Sequence, residues 1–149
     1  MRHLKAGRKF KRSPSHRRMM LRNLTTSVLE HGKVTTTLAK AKEVQPLVEK
    51  MITMAKGGWD LNRFRRIAAY VTKEDVAFRL FKEYTVGEQT FPPIAERFRD
   101  RPGGYTRIFK LAKVRQGDAS PMAVLALLSA DEKVAAKPVR PVVAPAKEG

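Results

Sequence analysis

The first acidic residue of this chain is Glu30, and nine cations precede it: Arg2, Lys5, Arg8, Lys9, Lys11, Arg12, Arg17, Arg18 and Arg22. A stretch of one sign repels itself and cannot be buried in a core, so it stays in water or lies against a polyanion. Residues 1–12 also lack an apolar period of 3.6 or 2, so no burial offsets the entropy lost in ordering them in the free protein. They are expected to form a flexible basic arm, which when extended reaches roughly 40 Å.

Over all 149 residues, 31 Lys and Arg stand against 14 acids, a formal charge of +17 of which the opening segment supplies about half. Nucleic acid is the partner this charge favours, because no stretch pairs a basic face with the long apolar helical face of a membrane-surface protein. The longest clean apolar run, Met122 to Leu128, is too short to span a bilayer. Arg17, Arg18 and Arg22 bracket the only early apolar cluster, which rules out a signal-peptide core and leaves an organelle transit peptide as the alternative reading of the leader. Absence of cysteine excludes disulfides, thiolate metal sites and cysteine nucleophiles.

Behind the arm, residues 13–128 read as one globular domain. Ser13-Pro14 sets a helix start, Leu21, Leu24 and Val28 share a face, and Gly32 supplies the stop. Arg18 and Arg22, four apart, place a basic stripe on that helix. Val34 to Thr37 is β-branched throughout and too short for anything but a strand. The next helix runs from Leu38 to Lys56, with Ala41, Val44, Val48, Met51, Ile52 and Ala55 in helical spacing, Thr37 as a candidate cap and a kink expected at Pro46. Asp60 caps a short helix through Tyr70, and Thr72-Lys-Glu-Asp75 resembles a capping box opening a further helix to about Tyr84. Residues 85–104 read as a long loop with a helical turn at Ile94 to Arg99. Tyr105–Val114 and Met122–Leu128 form an antiparallel hairpin through Gln116-Gly117-Asp118, the register of its first strand left open and its second strand expected to be buried on both faces. Residues 129–149 are Ala, Val, Pro and Lys without periodicity, interrupted by Pro138, Pro141 and Pro145, and are expected to be a disordered tail.

Catalytic and metal chemistry have little to stand on. His3, His16 and His31 show no metal-ligand spacing, there is no phosphate-binding glycine loop or nucleophile elbow, and the pair Glu74-Asp75 fits a helix start. Neither an enzyme nor a resident cofactor is expected. His3, Phe10 and His16, interleaved with the arm cations, are stacking candidates or ordinary packing residues. A second basic group, Arg97, Arg99, Arg101, Arg107, Lys110, Lys113 and Arg115, flanks Gly103-Gly104, whose backbone would either approach a phosphate or serve as a flexible strand lead-in. Arg63, Arg65 and Arg66 form a third beside Trp59, which, with Met19, Met20, Met51 and Met54, is expected to fill core.

Met1-Arg-His-Leu-Lys-Ala-Gly-Arg-Lys-Phe10, Ser15-His-Arg17, Arg22-Asn23, Thr35-Thr-Thr37 with Lys40-Ala-Lys-Glu43, Gly103-Gly-Tyr-Thr-Arg-Ile108 and Gly117-Asp118 together resemble the bacterial large-subunit ribosomal protein seventeen family, in order, over residues 1 to about 128. The loop through Thr90-Phe-Pro-Pro93 looks longer than that family's usual connection, and the tail is an extension. The resemblance implies a two-layer α/β (α+β) fold, about four helices on a small three-stranded sheet. It further implies a cytoplasmic, non-catalytic constituent of the ribosome whose arm enters large-subunit ribosomal RNA, on the solvent side near the tunnel exit, beside neighbouring large-subunit proteins. No membrane and no small-molecule substrate is expected. On that basis Arg2, His3, Lys5, Arg8, Lys9, Lys11, Arg12, His16, Arg17, Arg18 and Arg22 are expected to contact RNA, supported by Thr35, Thr36, Thr37, Lys40, Lys42 and Arg107. A general DNA-compacting protein is the alternative function.

Overall fold

Helix α2, Leu38–Lys56, occupies the centre of the molecule. Its stripe Ala41, Val44, Val48, Met51, Ile52 and Ala55 is wholly buried, because helical spacing puts these side chains on one face that neighbouring elements cover. The computed structural model describes residue 3 and residues 7–129, so Arg2, Lys5 and the tail from residue 130 lie outside the described residues. The remaining elements are α1 (Pro14–His31), β1 (Lys33–Thr37), α3 (Leu61–Ala68), α4 (Glu74–Phe78), β2 (Tyr84–Val86), β3 (Gln89–Phe91), α5 (Ile94–Arg97), β4 (Thr106–Val114) and β5 (Pro121–Leu127). One sheet has the order β1-β5-β4, antiparallel throughout, and β2 pairs only with β3. The helices lie on one side of the larger sheet, giving the two-layer α+β fold.

Helix α1 begins with Pro14 at its first turn and stops at Gly32, whose φ of 73° is a left-handed conformation that glycine adopts without steric cost. Ser13 and Thr37 hold the N-cap positions of α1 and α2, but neither side chain makes a capping bond. Pro46 is accommodated inside α2 without ending it: Pro46 and Lys42, the residue whose carbonyl loses its partner, are both exposed. Register is settled by Ile108↔Leu125 and Val34↔Leu125, a row facing the core. Strand β5 buries Ala123 and Leu125 fully, whereas the alternate Met122, Val124 and Ala126 are only half-buried, so its second face is not covered as expected.

Three further expectations are corrected. Thr72 does not cap α4. Lys73 holds that position, the helix ends at Phe78 rather than near Tyr84, and Tyr84 opens a strand. Within the expected loop, β2 and β3 form a tight hairpin around Gly87-Glu88, with Gly87 at φ 64° as a primed turn requires, and Tyr84 stacks on Phe91 at 5.6 Å. Met19 and Trp59 are 44% and 53% exposed, so neither is core filler; the Trp59 ring borders Phe64, Phe78 and Phe81, with Lys82 Nζ over it at 5.3 Å.

A polar seam fixes α1 to the segment 70–79. Arg22, Thr26 and Glu30 stand four residues apart on one stripe of α1. Arg22 Nε donates to the Tyr70 carbonyl at 2.7 Å. Thr26 Oγ1 donates back to the Arg22 carbonyl and accepts from the Thr72 N–H at 3.0 Å. The Glu30 carboxylate takes Lys73 Nζ at 2.7 and 2.9 Å, and its carbonyl takes Arg79 Nη1 at 3.0 Å. The Thr72 hydroxyl is drawn to Thr26 at 3.1 Å, which is why it is not spent on a cap.

Replacing Thr26 by Val keeps the shape but leaves the Thr72 N–H without its acceptor. The expected loss is about 1–2 kcal/mol, read as a lower urea midpoint at constant slope; an unchanged midpoint means water serves Thr72 equally well. The Lys73 hydrogen bond, with help from the charges of Lys73, His31 and Arg79, holds the Glu30 carboxyl below its ordinary 4.5 against the opposing effect of burial. A lowered carboxyl stabilises the fold fully above its unfolded pKa, and that contribution fades as pH falls through the lowered folded value. Glu30→Gln is therefore expected to cost about 0.5–1 kcal/mol at pH 7 and almost nothing at the acid end. Parallel unfolding curves for the two proteins across that range check this, and a constant gap at every pH counts against it.

Candidate nucleic-acid interface

The short described part of the arm is seated on the domain. Phe10 is half-buried against the core at φ 56°, with Lys11 at 51°, so the chain turns sharply there and lays Arg8, Lys9 and Lys11 outward as exposed side chains. Phe10 thus anchors the arm to the core. Gly7, at φ 98°, lies where an added Cβ would stand 2.8 Å from Arg17 Nη2 and 3.7 Å from Glu43 Oε2. Arg8 Nε sits 3.9 Å from Glu43 Oε1. The arm, the first turns of α1 and the first turns of α2 therefore converge on one place.

His3 and His16 are exposed, and Arg12 donates through Nη1 to the His16 ring. Arg18 faces solvent. Arg17 is half-buried, and its Nε is shielded from solvent with no hydrogen-bond partner among the described residues. Beside it, a cleft of about 280 Å³ opens between Pro14, Arg17, Arg18, Leu21, Leu47 and Tyr70. Two cations, Arg17 and Arg18, thus line the cleft, which favours an anion there. Burial pushes the Tyr70 hydroxyl above its usual range, against the opposing effect of its hydrogen bond with Thr25.

Other expected contacts divide. Lys42 is exposed and Lys40 half-buried on the same part of α2 as Glu43. Thr35 is exposed on the outward face of the sheet, one ladder row from Arg107, which is half-buried; Thr36 is half-buried in a row facing inward. Thr37 is buried, and Arg22, half-buried, donates through Nε to the Tyr70 carbonyl. In the second basic group, Arg101 donates to the Gly104 carbonyl at 3.4 Å, Arg97 reaches the Tyr84 hydroxyl at 3.5 Å, and Arg99, Lys110 and Lys113 are exposed. Gly104 takes φ 70°, giving the turn into β4. Arg63 donates to the Gly57 carbonyl and so closes the end of α2, leaving Arg65 and Arg66 exposed. Sequence reasoning passed over Lys33 and Phe109, which share the outward sheet face with Thr35 and Arg107; the alternation Arg107, Phe109, Leu111 was the available signal.

Among the described residues no helix is long and apolar enough to cross a membrane, and no group of three His, Cys, Asp or Glu is placed to hold a metal ion. A family model described as ribosomal protein L17 matches residues 20–128, from within α1 to the end of the sheet. The chain is similar to proteins named Large ribosomal subunit protein bL17. With that of Desulfotalea psychrophila it shares 47% identity over 136 residues, covering 91% of this chain and 96% of the other. With that of Moorella thermoacetica it shares 48% over 123 residues, covering 83% and 99%. With that of Pelobacter propionicus it shares 46% over 128 residues, covering 86% and 91%. On a family match through nearly the whole folded domain and relatives of this identity along almost their full length, the chain belongs to the ribosomal protein L17 family.

Proposed function

We propose that this protein is a structural constituent of the large ribosomal subunit, working in the cytoplasmic ribosome, that binds and stabilises folded ribosomal RNA in support of translation. The observation that carries the reading is that the acid-free run holding Arg8, Lys9, Lys11, Arg12, His16, Arg17 and Arg18 folds back on the start of α2, with Arg8 beside Glu43, Gly7 beside Arg17 and Arg12 on His16. A surface so charged favours phosphate, and the half-buried Arg17 beside the cleft gives one anion a defined place. Arg2 and Lys5 extend the same sign along the arm. Lys40 and Lys42 stand on the same part of α2 as Glu43, and Thr35 and Arg107 on the outward face of the sheet. Contacts of this kind read the placement of phosphates in a folded RNA rather than its base sequence. The relatives carry the name of large-subunit proteins, which favours ribosomal RNA, among neighbouring large-subunit proteins, over other polyanions.

If the six arm cations Arg2, Lys5, Arg8, Lys9, Lys11 and Arg12 each neutralise one phosphate, they contribute roughly −4 to −5 to the slope of log K against log salt. Deleting residues 2–12 is expected to flatten the slope by that amount while the domain stays folded. Filter binding to a large-subunit ribosomal RNA transcript over a salt series measures it, and an unchanged slope removes the arm from the interface. A DNA-compacting protein would instead hold duplex DNA as tightly as ribosomal RNA. Gradient fractionation of a cell extract after a high-salt wash distinguishes the two: recovery with the large subunit supports the proposal, and spread through DNA fractions overturns it.

A further inference from the structure

The outward face of the β1-β5-β4 sheet carries a second, chemically different surface. In an antiparallel ladder, directly opposed residues project to the same side. The rows Lys33–Ala126–Arg107 and Thr35–Val124–Phe109 therefore project away from the core-facing row Val34–Leu125–Ile108. On this side Phe109 is 46% exposed; Leu111 and Val114, further along β4, are exposed apolar side chains too. The ladder shifts register between Lys110 and Val114, and there a groove of about 350 Å³ is lined by Thr35, Leu111, Val114 and Met122 together with Lys113 and Arg115.

Exposed apolar surface of this kind marks a place where something docks. Its setting decides what. None of the three strands contains an acid, and apolar side chains alternate closely with Arg107, Lys110 and Lys113 along β4. The carboxylate at the hairpin tip, Asp118, is held by Arg115 and Ser120. The centres of protein–protein interfaces are depleted of charge, whereas an aromatic ring on a sheet among cations is the arrangement that takes single-stranded nucleic acid, bases on the ring and phosphates on the cations. A duplex cannot use the ring, because its base faces are already stacked.

We propose that this face binds an unpaired segment of RNA, with one base stacked on Phe109, an adjacent base over the groove beside Leu111 and Met122, and the backbone running past Lys33 and Lys113. The inference rests on the RNA-binding reading above and adds to it. The arm supplies charge that ignores pairing, and the sheet face selects for bases that are unstacked.

The test uses the full chain with two fluorescent probes, a short oligouridylate and an RNA duplex of equal phosphate count. Phe109→Ala is expected to weaken oligouridylate binding about tenfold and duplex binding by less than about twofold. Phe109→Tyr, which keeps the ring, stays within about twofold of the unmodified protein on both probes, and Phe109→Leu, which keeps apolar bulk without a ring, binds as weakly as the alanine variant. Because Phe109 lies outside the core, all three are expected to fold, and the preserved duplex binding reports that they have. Leucine behaving like phenylalanine, alanine losing nothing, or equal loss on both probes overturns the proposal. Deleting residues 2–12 in parallel separates the two ideas. Loss of the selective Phe109 effect with a normal arm effect removes only the sheet face, whereas an intact Phe109 effect with no arm effect removes only the arm. Failure of the unmodified protein to bind either RNA removes both.

Discussion

Burial of the α2 stripe is the constraint on which the other elements depend. Helix α1, the sheet, α3 and α5 all contact this one helix, so its apolar face is the common floor of the core. Its polar margin then sets the sheet in place: Gln45 donates to the Thr106 carbonyl at 3.3 Å, Glu49 accepts the Thr106 hydroxyl at 2.9 Å, and Lys56 reaches the Tyr105 hydroxyl at 3.3 Å. These bonds fix where β4 starts. The start of β4 in turn fixes which of its residues face outward, so a helix on one side of the sheet determines that Phe109 and Arg107 stand on the other.

A chain with 31 cations and 14 acids must place its excess charge somewhere, and the structure shows how the acids are used. Glu30 ties α1 to Lys73, Glu43 meets Arg8, Glu49 holds Thr106, Asp60 caps α3 by accepting the Arg63 N–H, and Asp118 closes the hairpin with Arg115. Each acts locally, most within or between elements that already touch. Acids spent in this way do not neutralise the surface at a distance, because exposed charges beyond about 10 Å are screened by salt. The cations at the start of α1 and along β4 are therefore left as fields for a partner, a consequence of where the few acids are fixed as much as of the total charge.

How much of this was legible in the sequence depended on how local its cause was. Helix α2 could be read to its ends, and α1 nearly so, because a long period and the punctuation of Pro14, Gly32 and Gly57 all lie within the segment itself. The main hairpin was legible for the same reason. The β2–β3 hairpin was not: three-residue strands are too short to show a period, and the Gly87 turn was hidden behind a helix extended too far. Thr72 misled because a capping box is a local pattern, while the bond that wins runs to Thr26, 46 residues away. The site divides likewise. Its sign was plain from the absence of acids before Glu30, but the inward turn of Arg22 depends on Tyr70, 48 residues distant, and no reading of charge alone could supply that.

The arm reconciles lack of periodicity with a definite position. Phe10 and Lys11 both take left-handed backbone conformations without being glycine, which costs roughly 1–2 kcal/mol each. Against this stands partial burial of the Phe10 ring, worth at most about 2–3 kcal/mol for a phenylalanine taken wholly from water. Partial burial offsets only part of that cost, so in the free protein residues 7–12 are placed rather than locked. Such a balance suits a segment dominated by charge. The geometry at Gly7, Arg8 and Arg17 is prepared in advance, while the free energy that locks the cations in place is left for a partner to supply.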